Sequence, residues 1–433
     1  MNDLPLRRLV LDACDGPFGS AIKSEHYAEE GARVIRLGNI GTGEWRDDSK
    51  AFLSLDYWRQ LSGHHARAGD LIMAGLGDVG HPVGRACVVP DYIGQALVKA
   101  DCYRMRLNPN LADARFIAAF LSSHAGLGQT EALAEGSTRQ RLTLSKAMSI
   151  RVPQVPISMQ RSVADLLDVE NARIDTVIAK KRRMIELLLA RRVATAFQAV
   201  SGRLGDHSSF KGSSIPWLNE VPNHWKEVLL RLVTELGSGH TPSRDHPEWW
   251  IDCTVPWITT GEVQLLRSDR IEYIEETREK ISEIGLANSS AELHPADTVV
   301  LCRTASAGYS GIMKTPMATS QDFATWVCGR LLRPRFLLLC LRAMREDLLG
   351  RLAMGSTHKT IYMPDIRSIQ IPLPSVEEQD QIIKEAWCHL ARIDKVTVRL
   401  EHQIKLLQEH RQALITAAVT GELEISGRPS VGA

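Results

Sequence analysis

Two long stretches of the chain carry apolar residues at steps of three and four positions. In the first stretch these residues are Leu167, Ile174, Ile178, Ile185 and Leu188, and in the second they are Ile383, Leu390, Ile393, Leu400, Ile404 and Leu407. This spacing is the heptad pattern of helices that pair as a coiled coil. We therefore predict two long antiparallel helices, within 157–204 and 375–423, that pack through these seams.

The two stretches belong to an internal repeat with a separation of 219 residues. Ala-Arg-Ile-Asp at 172–175 returns at 391–394, and Gly-Ser-Thr at 136–138 returns at 355–357. Across 136–204 and 355–423, 21 of 69 columns are identical without a gap. A repeat of this kind predicts a chain built twice from one unit, a globular block followed by a long helix.

The globular blocks contain short apolar runs separated by Gly, Pro, Asn and Asp, which predict strands. These runs lie at 34–37, 71–74, 86–89, 103–107, 255–258, 297–301 and 325–328, and helical spacing occurs at 112–123 and 336–348. The fold class is therefore predicted as α+β with a pseudo-twofold repeat. The predicted domains are 1–156, 157–204, 205–374 and 375–423, followed by a tail at 424–433.

Composition and charge leave the class of binding partner open. Of the 433 residues, 44% are hydrophobic and 24% are charged, and the formal net charge is +1. A DNA-binding protein needs only local basic character, so this charge neither favours nor excludes nucleic acid. The strongest basic run is Lys180–Arg183. Either it is a solvated helix face, or it contacts the DNA backbone or an acidic partner.

Cysteine usage and hydropathy indicate in which cellular compartment the protein is expected. The eight cysteines stand singly, without a CxxC pair, which argues against zinc ribbons and redox motifs and fits a reducing cytoplasm. The first residues contain no apolar stretch of the kind found in signal peptides. The longest apolar runs are too short to cross a membrane. We therefore expect a cytoplasmic protein.

Common catalytic signatures do not occur in the sequence. These include the GxxxxGKS/T phosphate loop, the HExxH metal motif, the GxSxG nucleophile turn, and the Asp/Asn-Pro-Pro-Tyr/Phe motif of DNA amino-methyltransferases. We expect no catalytic residue, no bound metal and no cofactor in this chain. A binding or scaffold role is favoured over an enzymatic one.

Several segments resemble the specificity subunits of type I restriction–modification systems. The matching segments are 361–366 and 371–374 before the second long helix, 391–394 within it, and 237–242 and 255–262 at the start of the second block. The first block, with 15–20 and 34–40, is similar to another version of that start. The order of these segments, the duplication and the length agree with that family. The absence of the GxTP opening from the first block is a departure from it.

The resemblance implies a non-catalytic subunit with two target recognition domains, each reading half of a bipartite double-stranded DNA site. The long helices would set the distance between the half-sites and dock two methyltransferase subunits, and restriction-motor subunits would complete the enzyme. S-adenosylmethionine, ATP and Mg²⁺ would be bound by these partners. Because the two blocks differ in sequence, we expect an asymmetric target. A coiled-coil adaptor that presents two ligand-binding domains to something other than DNA is the alternative.

Candidate DNA contacts follow from the chemistry of groove recognition. Arg and Lys bind guanine, Asn and Gln bind adenine, and Ser, Thr and backbone amides hold phosphates. The candidates in the first block are Lys23, Ser24, Arg36, Asn39, Arg85, Arg139, Gln140 and Arg141. In the second block they are Thr241, Ser243, Thr259, Thr260, Arg303, Lys314, Ser320, Gln321, Ser356, Thr357, His358 and Lys359. Each could equally be a solvated surface residue, and each Gly-Ser-Thr could be a plain turn.

Overall fold

The computed structural model describes residues 3–355 and 359–423. The chain forms two compact units, one comprising Met1–Lys181 with His402–Ala433 and the other Arg182–Glu401. Each unit holds one block and one part of each long helix, and each block mixes helices with sheets. The predicted α+β class is confirmed. The predicted domain boundaries stay predictions, and the tail at 424–433 lies outside the described residues.

The long helices are Ile157–Val200 and Val376–Thr420, of 44 and 45 residues. Each is followed within two residues, at equivalent positions of the repeat, by a glycine with positive φ: Gly202 at 77° and Gly421 at 80°. A glycine adopts this left-handed conformation without the steric cost that a Cβ would bring, so it ends the helix. The two copies of the repeat therefore terminate their helices by the same means.

Unit 1 contains two larger sheets. The strands of the antiparallel four-stranded sheet are, in spatial order, Val10–Cys14, Cys102–Leu107, Leu71–Ala74 and Ala86–Val88. The five-stranded sheet runs Tyr27–Ala28, Phe52–Leu53, Ala32–Ile35, Ala96–Val98 and His65–Ala66, with one parallel pair, the third and fourth strands. Two short antiparallel pairs join Asp3–Pro5 to Arg151–Pro153 and Leu76–Gly77 to Gln140–Arg141.

The helices of the first block are Leu55–Gln60, Ala114–Leu121, His124–Leu133 and Leu144–Ala147. Single 3-10 turns lie at Leu6–Arg8, Gly19–Ala21, Ser24–His26, Leu37–Asn39 and Ser62–His64. The helix Ala114–Leu121 buries Phe116, Ile117, Phe120 and Leu121 in the main apolar cluster of the unit. Removing these side chains from water is the main force that holds the helix to the sheet.

Unit 2 repeats this plan. Its five-stranded sheet runs Thr234–Ser238, Phe323–Cys328, Val299–Cys302, Ser310–Met313 and Tyr273–Ile274, and its three-stranded sheet runs Glu279–Ile281, Val255–Ile258 and Ala318–Thr319. Short pairs join Phe210–Gly212 to Glu220–Pro222, Lys226–Leu229 to Gln370–Leu373, and Ala353–Met354 to Thr360–Ile361.

The helices of the second block are Val263–Leu266, Glu283–Ala287, Pro334–Ala343, Arg345–Asp347 and Met363–Arg367. Further turns lie at Leu230–Leu232, Pro247–Trp250 and Leu348–Leu352, the last being a π-helical turn. The predicted continuous helix at 336–348 is therefore interrupted, because Met344 leaves helical geometry with φ −84° and ψ 2°.

The two blocks share one fold well beyond the 69 columns of the repeat. In the first block, Val10–Cys14 pairs with Cys102–Leu107, which pairs in turn with Leu71–Ala74. In the second block, Thr234–Ser238 pairs with Phe323–Cys328, which pairs in turn with Val299–Cys302. Both blocks also contain a parallel pair at equivalent positions, Ala32–Ile35 with Ala96–Val98 and Val255–Ile258 with Ala318–Thr319. The second block has a further parallel pair, Tyr273–Ile274 with Ser310–Met313. The duplication thus includes the globular blocks.

In unit 1 the parts of the two long helices run antiparallel. Near the start of the first helix, Leu167 lies in one apolar cluster with Ile415 of the second. Further along, Asp175 bonds Arg411, and Lys181 Nζ donates to Gln403 Oε1 over 2.7 Å. As residue numbers increase along the first helix, the residue numbers of its partners on the second helix decrease. The two helices therefore run in opposite directions.

The same antiparallel pairing occurs in unit 2. Ala199 shares an apolar cluster with Ile383, and Arg192 bonds Asp394 at 3.3 Å. The seam positions are buried at Leu167, Ile174, Ile178, Ile383, Leu390, Ile393 and Leu400, and half-buried at Ile185, Leu188, Ile404 and Leu407. Leu187 and Leu406, one position away from seam residues, are exposed. Burial therefore follows the heptad pattern along both helices.

Candidate nucleic-acid interface

The Gly-Ser-Thr segment of the first block forms the tip of a closed loop. Gly136 has a φ of 93°, and a Cβ there would lie 2.7 Å from the Arg139 carbonyl oxygen. The loop is closed by two backbone hydrogen bonds between Glu135 and Arg141, of 2.8 and 2.9 Å. The side chains of Ser137, Thr138 and Arg139 are exposed. This loop therefore offers two hydroxyls and a guanidinium to solvent.

The residues after this tip are anchored to the block. Gln140 and Arg141 pair with Leu76–Gly77. The Arg141 guanidinium donates to Asp101 Oδ1 at 2.8 Å and lies over the Phe18 ring at 5.8 Å. A bond to a carboxylate and a ring contact hold this side chain in a defined direction. The Arg141 side chain is thus held by contacts within the protein, whereas the exposed side chain of Arg139 can turn outward.

Arg139 also lines a pocket of about 380 Å³ together with Arg46, His81 and Arg85. Arg85 is only 4% exposed and donates to the carbonyl oxygens of Leu37, Ile40, Leu76 and Pro82 at 2.8–3.1 Å. Burial lowers the pKa of its guanidinium. Because the N–H groups of Arg85 already bind backbone oxygens, this side chain links two loops. Its bonding is at odds with the base contact expected from the sequence.

Asn39 has a similar structural role. It is fully buried, its Oδ1 accepts the Arg36 N–H at 3.0 Å, and its Nδ2 donates to the Arg46 and Ser49 carbonyls, both at 3.0 Å. A buried amide with all these bonds would have to break them to reach a base. We therefore correct the expectation for Asn39, which shapes the loop that carries Arg36 and Arg46.

The remaining candidates of the first block are at its surface. Lys23 and Ser24 are exposed at a 3-10 turn, where Lys23 Nζ is 3.7 Å from Glu25. Arg36 is half-buried and donates to the Ser49 hydroxyl. The structure describes no contact that brings Lys23 or Ser24 to the loop of Arg139. They stay separate predictions of DNA contacts.

In the second block the equivalent glycine is Gly355, whose φ is 103°. Ser356, Thr357 and His358 lie outside the described residues. Lys359 is exposed, forms a parallel bridge with Ser306, and donates from Nζ to the Leu349 carbonyl at 2.9 Å. The loop that follows the strand Val299–Cys302 therefore supports Lys359, as the loop after Leu71–Ala74 supports Gln140.

Several candidates of the second block meet at this end of the sheet. The Arg303 N–H donates to the Asp322 carbonyl at 2.8 Å, and Ile361 N–H donates to the Arg303 carbonyl at 2.8 Å. Ser320 Oγ donates to Asp322 Oδ2 at 3.1 Å, and Thr241 Oγ1 donates to Gln321 Oε1 at 2.6 Å. These bonds connect Thr241, Arg303, Ser320 and Gln321, directly or through Asp322, and Lys359 adjoins them two residues before Ile361. We call these five residues the second-block cluster. Ser320 is 3% exposed, so it orients Asp322, which is at odds with a base contact of its own.

Thr259 and Thr260 adjoin this cluster, because Ser320 N–H donates to the Ile258 carbonyl at 2.9 Å. The Thr259 N–H and hydroxyl both donate to Glu262 Oε2, at 2.8 and 3.0 Å. Glu262 is fully buried and is the counterpart of Asn39 in the first block. Each accepts the backbone N–H of the residue three positions earlier, Thr259 or Arg36, which directly follows the equivalent strand. Thr259 is therefore a turn residue, and Thr260 is exposed beside it.

Ser243 and Lys314 do not join the second-block cluster through the described contacts. Ser243 Oγ contacts Asp245 Oδ2 at 3.4 Å in an exposed loop. Lys314 follows the strand Ser310–Met313 and lies over the Tyr273 ring at 4.9 Å. In the antiparallel pairing Leu301 faces Ser310, so Arg303 and Lys314 lie at opposite ends of the same strands.

The chemistry at the second-block cluster is that of a binding surface. Among the described residues, the buried Nε of Arg303 has no hydrogen-bond partner, so this guanidinium retains an unused donor. Burial raises the pKa of the neighbouring Cys302 thiol to about 11, which keeps it protonated and non-nucleophilic at neutral pH. Cationic donors, hydroxyls and an amide suit contacts to phosphates and base edges. Sequence reasoning missed Asp322, because its partners are spread over several segments.

Comparison with known proteins shows what this chain is similar to. Residues 222–408 match the model of the type I restriction modification DNA specificity domain. The chain is 23% identical over 426 residues to the type I restriction enzyme EcoBI specificity subunit of Escherichia coli, covering 95% of this chain and 84% of that one. It is 28% identical over 167 residues to the MjaIX specificity subunit of Methanocaldococcus jannaschii, a match that covers 38% of either chain.

Solved structures share the fold. A chain from work on complex assembly and conformational transition of the type I R-M system has a TM-score of 0.66 at 16% identity, with 98% of both chains covered. The HsdS subunit of Thermoanaerobacter tengcongensis has a TM-score of 0.50 at 16% identity, with 98% of this chain and 97% of that one covered. The second block and the adjoining part of the second long helix therefore match a type I restriction modification DNA specificity domain, and the chain as a whole is similar to specificity subunits. Within residues 3–355 and 359–423, no helix is sufficiently long and apolar to cross a membrane.

Proposed function

We propose that this chain recognises a bipartite, asymmetric double-stranded DNA target for a type I restriction–modification enzyme, with one half-site read by each block. The observation that carries this proposal is the pair of equivalent loops at Gly136 and Gly355, on blocks of one fold. The first presents Arg139 and Gln140, and the second presents Lys359. Different side chains on the same support would read different base sequences.

The long helices are the proposed docking surface for two methyltransferase subunits. Outside the seam they expose large apolar side chains: Val177, Met184, Leu187, Leu189 and Val193 on the first helix, and Val396, Val398 and Leu406 on the second. Met184 with Leu187 and Leu189 with Val193 are neighbours on the helix surface by their spacing of three and four residues. Neighbouring exposed apolar side chains favour contact with a protein partner. Restriction-motor subunits would complete the assembly. S-adenosylmethionine, ATP and Mg²⁺ would be held by these partners, in the cytoplasm.

The alternative of an adaptor for a ligand other than DNA has no support from the family. The matched model is a DNA specificity domain, and the curated relatives are specificity subunits of restriction enzymes. Two globular blocks on paired helices fit both hypotheses, so the fold by itself does not separate them. DNA binding by the assembled methyltransferase separates them.

Substitutions at the two loops test the proposal. We expect Lys359→Ala to weaken binding of the assembled methyltransferase to its target and to lower the slope of log K against log salt by about 1, because a phosphate contact is lost. We expect Gln140→Ala to weaken discrimination at one position of the other half-site, by about 1–3 kcal/mol. Binding is measured on target duplexes at several salt concentrations.

Lys226→Ala is the matched control, since Lys226 is exposed, lies on the strand that pairs with Gln370–Leu373, and is not among the candidate DNA contacts. It should leave target affinity and salt slope unchanged. Circular dichroism establishes that all three variants are folded. Unchanged affinity and discrimination in both loop variants would exclude these loops as the reading surface.

A further inference from the structure

Two histidines and one glutamate from distant parts of unit 2 meet in one cluster. His224 Nε2 lies 3.1 Å from Glu378 Oε1 and 3.3 Å from Oε2, and His207 Nε2 lies 3.7 Å from the same Oε1. The three ligating atoms are all within 4.8 Å of one another. We propose that His207, His224 and Glu378 form a binding site for a divalent transition-metal ion, Zn²⁺ in particular.

The distances fit the coordination geometry of zinc. Zn²⁺ binds imidazole nitrogens and carboxylate oxygens at about 2.0–2.2 Å, which places neighbouring ligands of a tetrahedron about 3.4 Å apart. The two nitrogen–oxygen separations, 3.1 and 3.7 Å, lie on either side of that value. Two neutral imidazoles and one carboxylate also match the ligand preference of zinc over that of Mg²⁺, which favours oxygen ligands. A fourth position is left for water.

The surroundings of the cluster orient its ligands. The Trp225 indole N–H donates to Glu378 Oε1 at 2.7 Å, a contact of the kind that orients ligating carboxylates. The His207 ring meets the Phe210 and Trp225 rings edge-on, at 6.2 and 5.7 Å between centroids. The side chains of His207 and Glu378 are 15% and 20% exposed, and that of His224 is 60% exposed. An ion could therefore enter from solvent on the His224 side.

The location suggests a structural role. Glu378 is in the first turn of the second long helix, where Ser375 Oγ accepts its N–H at 3.2 Å. That bond is half of a capping box, but the carboxylate is directed to Trp225 and the histidines. His207 is in the connection after the first long helix, and His224 precedes the strand Lys226–Leu229. A bound ion would join these three segments. In the first copy of the repeat, Met159 occupies the position of Glu378, so only the second copy has the site.

Zinc binding by the full chain tests this inference. The chain, without an affinity tag of histidines, is treated with chelator and titrated with ZnCl₂ by calorimetry, and its Tm is followed with increasing zinc. We expect saturable binding of one ion per chain and a Tm that rises with zinc concentration, since the ion binds the folded state. MgCl₂ should produce neither effect. Absence of saturable zinc binding by the wild-type chain would overturn the proposal.

Variants separate this site from ordinary surface histidines. His224→Gln removes the most exposed ligand and should weaken zinc binding by about 100-fold or more, because losing even an outer-shell contact typically costs about 10–100-fold. Glu378→Gln retains an acceptor for Trp225 and should weaken binding as well. His246→Gln is the matched control, because His246 is half exposed and pairs with Glu248 at 2.9 Å away from the cluster. Equal zinc affinity of the His224 and His246 variants would show that the three residues form only a hydrogen-bonded group.

Discussion

At the scale of single residues, burial changes what a polar side chain can do. Asp15 is an example outside the candidate interface. Its Oδ1 accepts the N–H groups of Gly16 and Asp101 at 2.7 and 2.9 Å. Burial raises the pKa of this carboxyl to about 6, and the nearby Asp101 acts in the same direction, against the opposing effect of the backbone bonds. The neutral form of Asp15 therefore persists to higher pH in the folded protein than in the unfolded chain.

This shift makes the effect of Asp15→Asn depend on pH. Because the pKa in the folded state exceeds the ordinary 3.8, the folded chain binds this proton more tightly than the unfolded chain. The resulting stability is present below the ordinary pKa and is lost as pH rises through about 6. Asparagine avoids the charge, so we expect Asp15→Asn to raise Tm at pH 7.5 relative to wild type and to have little effect at pH 4. Thermal unfolding at both pH values measures this.

Asp56→Asn serves as the control, since the Asp56 side chain is 88% exposed. It should change Tm by similar small amounts at both pH values. A change in Tm from Asp15→Asn that is the same at pH 4 and pH 7.5 would contradict the assignment.

At the scale of elements, the start of each long helix is attached to its block by a buried glutamine. Gln160 Oε1 accepts the Asp113 N–H at 3.0 Å, and its Nε2 donates to the Leu111 and Val155 carbonyls. Gln379 makes the same three bonds with Arg333, Leu331 and Pro374. These glutamines are identical in the repeat because each satisfies backbone groups that would otherwise be buried without partners.

Removing the amide should therefore destabilise the protein strongly. We expect Gln379→Leu to lower the free energy of unfolding of unit 2 by about 3 kcal/mol, because one N–H and two carbonyls lose their bonds and each such loss costs about 1–3 kcal/mol. Urea unfolding followed by circular dichroism measures the change. Gln381→Leu, two positions away and exposed on the same helix, should cost less than about 0.5 kcal/mol. Equal midpoints for the two variants would show that the buried bonds do not stabilise this junction.

At the scale of the whole molecule, the paired helices are proposed to measure the distance between half-sites. Within each unit their two parts run antiparallel, with Arg192 bonded to Asp394 in unit 2 and Asp175 bonded to Arg411 in unit 1. A heptad is the smallest insertion that preserves this pattern of facing side chains. The length of both helices can therefore be changed together without altering their seam.

Inserting seven residues at matched positions of both helices should lengthen each by about 10 Å. At 3.4 Å per base pair, the assembled methyltransferase should then prefer a spacer longer by about three base pairs. Methylation-sensitive sequencing of DNA treated with the enzyme measures the spacer. The same insertion in the first helix alone should destabilise the protein by misaligning the seam. An unchanged spacer with matched insertions would refute the measuring role.

Features that depend on near neighbours in the chain were determined by the sequence. The heptad seams, the helix ends at Gly202 and Gly421, and strands such as Leu71–Ala74 follow from local periodicity and turn chemistry, and the structure has them. The 219-residue repeat likewise needs only the order of residues. These elements were predictable because each side chain's preference acts within a few positions.

Only the tertiary structure decided which distant residues meet. It showed that the two blocks share one fold where their sequences have diverged, because sheet pairing depends on backbone groups that many side chains permit. It buried Asn39 and Arg85, two candidates for base contact, and it joined Arg303 to Asp322. It also brought His207 and His224 to Glu378, more than 150 residues away. Contacts at such separations depend on how the sheets and helices pack, which no local pattern in the sequence contains.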